Sequence, residues 1–120
     1  MIILYHVAMT RSVRVRWALE ELGLAYEIAT LNREAGDLAS PEYLQLNPFG
    51  RVPAITDQSG NDQIVLFESG AIIEYLLERY DDGTLKPQTG TDAWAQYIQW
   101  IHAAETFSQP VGLFIQHGNR

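Results

Sequence analysis

The sequence predicts a mixed α/β fold, one four-stranded sheet with helices on both faces, followed by a separate helical segment. Three observations carry this. Strand-like and helix-like patterns over residues 1–83 follow the order β-α-β-α-β-β-α. A helix separates the first two strands, which makes them parallel, and a short turn separates the last two, which makes them antiparallel. The stretch "TLKPQTG", 84–90, is a polar linker containing Pro and Gly, and it divides this unit from residues 91–120.

The elements follow in order. "IILYHV", 2–7, reads as a short buried strand. "MTR" is a turn, and "SVRVRWALEELG" follows as a helix, with Val15, Ala18, Leu19 and Leu22 at i, i+3, i+4, i+7. Gly23 closes it as a left-handed cap. "AYEIATLN" alternates as a second strand, and "REAGDLAS" is loop. Ser40-Pro41-Glu42 starts a short helix, with Ser40 as N-cap and Pro41 in the first turn. Asn47-Pro48 and Gly50 end it. "VPAIT" and "QIVLF" are strands joined through "DQSGND" as a hairpin loop. In "ESGAIIEYLLERYDDG" Ser69 is placed to cap a helix whose apolar face is Ile72, Ile73, Leu76, Leu77 and Tyr80. Residues 91–120 read as one helix carrying Trp94, Tyr97, Ile98, Ile101 and Phe107. One mixed sheet with helices on both faces satisfies the connections of the first 83 residues, which is the thioredoxin-like arrangement.

Composition narrows the functions. With 15 acidic and 8 basic residues the net charge is −7, so nucleic acid is a poor partner. The one basic cluster is Arg11, Arg14 and Arg16. It reads as a solvated helix face, with Arg16 and Glu20 at i,i+4, or as a local attraction for a small anion near a helix start. No apolar run reaches the length of a membrane span, and no basic leader precedes the first apolar residues, so neither membrane insertion nor a signal peptide is expected. Cysteine is absent, which fits a cytoplasmic protein and excludes redox cycling through the chain's own thiols. His6, His102 and His117 lack metal-ligand spacing, so no metal is expected.

"NPFGRVPAI", 47–55, poses the sharpest question. A proline directly ahead of a strand lacks a ladder donor, so Pro53 opens an edge strand or leaves the backbone around it for a ligand.

Together, "TRSVRVRWALEELGLAYE", "NPFGRVPAI" and "LFESGAIIEYLLERY" resemble the N-terminal domain of a cytosolic glutathione S-transferase of bacterial or fungal type. The match runs over residues 2–82 in order and spacing, and 91–117 resemble the first helix of that family's all-helical domain. The resemblance implies glutathione as co-substrate, with no metal. It makes Pro53 a cis proline that exposes the backbone of Val52, which then pairs with the cysteinyl part of glutathione as an added strand would. It places the γ-glutamyl end on Glu68 and Ser69. A carboxylate accepts from an α-ammonium group, and free N–H groups at a helix start suit an α-carboxylate. Arg51 falls near the glycyl end.

The family stabilises the glutathione thiolate through a hydroxyl near the first helix. Three residues compete for that role here. Thr10 lies where serine-type members carry their serine, allowing one residue of loop-length difference. Ser12 follows two residues on, where as an N-cap its oxygen would accept from the helix backbone. Tyr5 matches the tyrosine of tyrosine-type members, or is a strand aromatic packed in the core. The resemblance further implies a small hydrophobic electrophile and a homodimer formed partly through the helix at 91–117. Typical members continue with more helices that build the electrophile pocket, so conjugation by this chain is expected to be impaired. Two functions stay open, a glutathione transferase and a non-catalytic module of the same fold used for protein association.

Overall fold

The computed structural model describes residues 1–118, so the last two positions of the expected segment 91–120 lie outside the described residues. The chain forms two compact units, Met1–Tyr80 and Asp81–Arg120. In the first, strands β1 (Ile2–His6), β2 (Tyr26–Thr30), β3 (Ala54–Ser59) and β4 (Asp62–Phe67) form one sheet in the order β2-β1-β3-β4. β1 and β2 are parallel, while β1–β3 and β3–β4 are antiparallel. Helices α1 (Ser12–Glu21), α2 (Pro41–Leu46) and α3 (Ser69–Tyr80) complete the unit. This is the mixed thioredoxin-like sheet that the sequence predicts. Because β3 lies between β1 and β4, Pro53 precedes an interior strand, and the edge-strand reading of the proline fails.

Strand alternation sorts the side chains onto two faces. Ile2 and Leu4 of β1 join Ile55 of β3 against Val15 and Leu19 of α1 and Ile72 and Leu76 of α3, forming the core. Tyr5 points to the other face, where its ring packs against Tyr43 of α2 at 5.9 Å between centroids. Helix α1 ends as predicted. Gly23 adopts φ +64°, its N–H bonds to the Glu20 carbonyl at 3.0 Å, and the Leu24 N–H bonds to the Leu19 carbonyl at 3.1 Å. Those two bonds make a Schellman motif. At the start of α2 the Ser40 hydroxyl accepts from the Tyr43 N–H at 3.2 Å, and Pro41 occupies the first turn.

Three local expectations change. The loop 33–40 contains a 3₁₀ turn, Asp37–Ala39. Helix α1 has Arg11, not Ser12, at its N-cap position. The hairpin is tighter than the composition of "DQSGND" suggests, because pairing continues to Ser59↔Asp62 and leaves only Gly60-Asn61 as the turn. That extension carries Asp57 into β3 on the same face as Ile55, where it is 1% exposed. Its carboxylate accepts from the Tyr75 hydroxyl at 2.8 Å and from the Tyr80 hydroxyl.

In the second unit, Thr91 caps helix α4 (Asp92–His117) by accepting from the Trp94 N–H at 3.2 Å. Pro110 lies inside this helix. Trp94, Tyr97, Ile98 and Ile101 are half-buried, whereas Trp100, Phe107, Val111 and Phe114 are exposed. No helix among the described residues is long and apolar enough to cross a membrane.

Candidate functional site

The strand directions bring three chain segments to one end of the sheet. Tyr5 pairs with Ala54, and Ala54 pairs with Phe67. The C-terminal end of β1, the N-terminal end of β3 and the C-terminal end of β4 therefore lie side by side. Each leads into a segment singled out by sequence: Thr10 and Ser12 after β1, Arg51-Val52-Pro53 before β3, and Glu68-Ser69 after β4. Helices α1 and α3 both begin at this end, so their positive dipole ends face the same region.

The Val52-Pro53 peptide is cis, as the resemblance implies. Strand pairing begins at Ala54, so Val52 lies outside the ladder. The backbone just ahead of it is held by two side chains. The Arg51 carbonyl accepts from the Tyr43 hydroxyl and from Asn47 Nδ2, the latter at 2.9 Å. Asn47, 3% exposed, uses its other amide atom as well, accepting from the Phe49 N–H at 3.0 Å. Gly50 completes the turn at φ +61°, and a Cβ there would lie 2.9 Å from the Leu38 carbonyl oxygen. The Arg51 side chain is exposed.

Tyr43 carries a pH signature. Burial, and then the neighbouring Tyr5, pushes its hydroxyl up from 10.0 to about 12. A folded-state value above the unfolded one means that the contribution to stability is complete below about pH 10 and is lost as pH rises through 12. Urea unfolding of the native chain beside Tyr43→Phe is therefore expected to show the stability difference shrinking over that window, by up to about 1.4 kcal/mol per pH unit. A difference that stays constant from pH 9 to pH 12 would contradict the assignment.

Glu68 sits at φ +75°, in the left-handed region, and turns the chain from β4 into α3. Its side chain is exposed and its carbonyl accepts the Ile72 N–H at 3.0 Å. A non-glycine residue in this conformation is strained by roughly 1–3 kcal/mol. Ser69, 5% exposed, is the first residue of α3, and its hydroxyl accepts from the Arg14 guanidinium at 3.3 Å. That contact ties the first turn of α1 to the first turn of α3. It also shows that Arg14 is more than a solvated face.

The three hydroxyl candidates occupy different settings. Tyr5 lies on the α2 face of the sheet, its ring packed at a tilt against Tyr43. Ser12 is fully buried. Thr10, half-buried, lies at the loop ahead of α1 and donates to the Val7 carbonyl at 2.7 Å. The Thr10 and Ser12 hydroxyl oxygens are 2.7 Å apart, and Ser12 Oγ lies 2.7 Å from His6 Nδ1. His6 is 7% exposed, and burial followed by the Arg16 charge lowers its pKa. Sequence reasoning missed His6, Tyr43 and Asn47, because each matters through a partner outside its own element. Among the described residues no group of three His, Cys, Asp or Glu side chains converges to hold a metal ion.

Fold and site define a thioredoxin-like domain with a cis-proline turn and an acidic residue at a helix start, both at one end of the sheet. Residues 1–78 match the family description "Glutathione S-transferase, N-terminal domain". The chain belongs to the glutathione S-transferase family. It is 34% identical over 110 residues to glutathione S-transferase 3 of Schizosaccharomyces pombe, covering 92% of this chain and 43% of that protein. It is 46% identical over 99 residues to the glutathione S-transferase-like protein OpS6 of Beauveria bassiana, covering 82% of this chain and 43% of that one. Among solved structures, a glutathione transferase family member from Pseudomonas fluorescens with two glutathione bound superposes with a TM-score of 0.83 at 35% identity, covering 94% of this chain and 51% of that one. The chain thus spans less than half the length of the two curated relatives named.

Proposed function

We propose that residues 1–83 bind glutathione in extended form and stabilise its thiolate for attack on an electrophilic carbon. The observation that carries this reading is the convergence of Glu68-Ser69, Val52 and Thr10 at one end of the sheet, beside two helix starts. Glu68 accepts from the α-ammonium group, and the Ser69 hydroxyl and the first N–H groups of α3 hold the α-carboxylate. Val52 pairs through its backbone with the cysteinyl residue, and Arg51 faces the glycyl carboxylate. Thr10 donates to the sulfur. The full burial of Ser12 and the contact of Tyr5 with Tyr43 support Thr10 over the other two hydroxyls for this role. A free thiol has a pKa of about 8.5, and a hydroxyl donor beside a helix N-terminus lowers it.

In the reaction the thiolate sulfur forms a carbon–sulfur bond with a small hydrophobic electrophile, and the displaced group leaves with its electron pair. Residues 84–90 are the linker, and α4 is the first helix of an all-helical domain. We assign the chain to the cytoplasm and to a homodimer formed partly through α4. A second reading, a non-catalytic association module, draws support from the exposed Trp100, Phe107, Val111 and Phe114 on α4.

Titration calorimetry of glutathione into the purified chain tests the first reading, with Glu68→Ala and Glu68→Gly as controls. Both substitutions are expected to abolish measurable binding. Glu68→Gly relieves the left-handed strain, so its stability should stay within about 1 kcal/mol of the native chain. A folded, monodisperse sample that shows no heat of binding and no thermal protection by glutathione would transfer the function to the association module.

A further inference from the structure

The loop between β1 and α1 holds three short polar contacts in a row. Thr10 Oγ1 lies 2.7 Å from the Val7 carbonyl oxygen and 2.7 Å from Ser12 Oγ, and Ser12 Oγ lies 2.7 Å from His6 Nδ1. Each needs a proton between its two heavy atoms, because lone pairs facing each other at that distance repel. The two hydroxyls supply only two protons. A proton on His6 Nδ1 supplies the third. Two backbone donors fit this arrangement, the Val7 N–H to Ser12 Oγ and the Ser12 N–H to Thr10 Oγ1, both at 3.3 Å. Ser12 Oγ also lies 3.0 Å from the Val7 carbonyl oxygen, a longer contact that competes for the Ser12 proton and yields to the 2.7 Å contact with Thr10.

We propose that His6 is a positioning residue, held as the Nδ1–H tautomer, which drives a one-directional hydrogen-bond chain from His6 through Ser12 to Thr10. Its function is to leave the Thr10 proton free to turn outward. This deepens the glutathione reading above and rests on Thr10 as the thiolate donor. When a thiolate approaches, Thr10 gives up the Val7 carbonyl and donates to sulfur. It can do so without breaking the 2.7 Å contact to Ser12, because the proton in that contact is Ser12's. In the opposite tautomer, Nδ1 would draw the Ser12 proton inward, and Thr10 would have to donate to Ser12 rather than to sulfur. Aligned donors also polarise one another, which strengthens the terminal bond to the anion. No proton changes owner in this scheme. Burial, and then the Arg16 charge, disfavour the imidazolium form of His6, so the tautomer of the neutral ring decides the direction.

Two measurements test the proposal. Nitrogen-15 spectra of the imidazole rings in the glutathione-free chain should show His6 protonated at Nδ1, and a ring protonated at Nε2 alone would overturn it. The pKa of the bound glutathione thiol, followed by thiolate ultraviolet absorbance, should rise in His6→Gln by about 0.5–1 unit, the net worth of one hydrogen bond. It should stay near the native value in His6→Asn, whose amide N–H can take the place of Nδ1–H, while glutathione affinity measured below the bound thiol's pKa, where the ligand stays a neutral thiol, changes less than twofold in both. Equal thiol pKa values in His6→Asn and His6→Gln would defeat the proposal, since a merely structural role makes no such distinction. Thr10→Val separates the two layers: it should raise the thiol pKa at least as far as His6→Gln. If it leaves the thiol unchanged, the assignment of Thr10 fails and the His6 relay fails with it.

Discussion

Asp57→Ala is expected to remove about 3–5 kcal/mol of folding stability, the range for deleting one partner of a buried charged cluster. The carboxylate is 1% exposed and accepts from Tyr75 and Tyr80, both on α3. Its countercharge stands one step away, where Arg79 donates to the Tyr75 hydroxyl oxygen at 2.9 Å and lies over the Tyr75 and Tyr80 rings at 5.7 and 5.8 Å. Alanine would leave two tyrosine hydroxyls without their acceptor, each costing about 1–3 kcal/mol. Asp57 Oδ1 has no hydrogen-bond partner among the described residues, so removing that desolvated acceptor returns part of the loss. Against a typical total of about 5–15 kcal/mol, the deficit is large enough to unfold a marginal chain. Urea midpoints at constant slope provide the measurement. A loss under about 1 kcal/mol would show that the cluster is not coupled to folding.

Asn47→Ala is expected to cost about 2–4 kcal/mol and to weaken glutathione binding at the same time. Two side-chain hydrogen bonds disappear at a residue that is 3% exposed: the one from Nδ2 to the Arg51 carbonyl and the one from the Phe49 N–H to Oδ1. The first of them fixes the peptide immediately before Val52, whose backbone is assigned to glutathione. Calorimetry and urea unfolding on the same sample should therefore both move. Asn47→Asp is the informative companion, because it keeps the acceptor for Phe49 while losing the donor to Arg51. A variant that loses stability with unchanged affinity would detach the turn from the ligand site.

The order of elements was legible because each is specified within a few residues. Gly23 can take the left-handed position that ends α1, Ser40 and Pro41 start α2, and Ile72, about one helical turn before Leu76 and Leu77, lies on the same face of α3. The placement of the candidate residues at one end of the sheet became legible only with the structure, because it depends on β1 lying beside β3. Once the strand order and directions are known, the segments after β1, before β3 and after β4 must meet.

Asp57 is where local reading gave way. Flanked by Gln58, Ser59 and Gly60, it carries the composition of a turn, and a carboxylate is a poor strand residue by propensity. Only the pairing register with β4, together with two tyrosines about twenty residues later, makes its burial tolerable. Asn47 reads as a helix breaker and His6 as a structural or exposed residue of β1, and nothing adjacent announces otherwise.

The sequence by itself thus determined the helices, the caps at Gly23 and Ser40 and the mixed character of the sheet, since periodicity and backbone preference act over short separations. The tertiary structure alone decided which polar groups face each other in the interior: Asp57 with Tyr75 and Tyr80, Asn47 and Tyr43 with the Arg51 carbonyl, and His6 with Ser12 and Thr10. A buried polar group must find its partner wherever the packed chain presents one, and that partner need not share its element or its pattern.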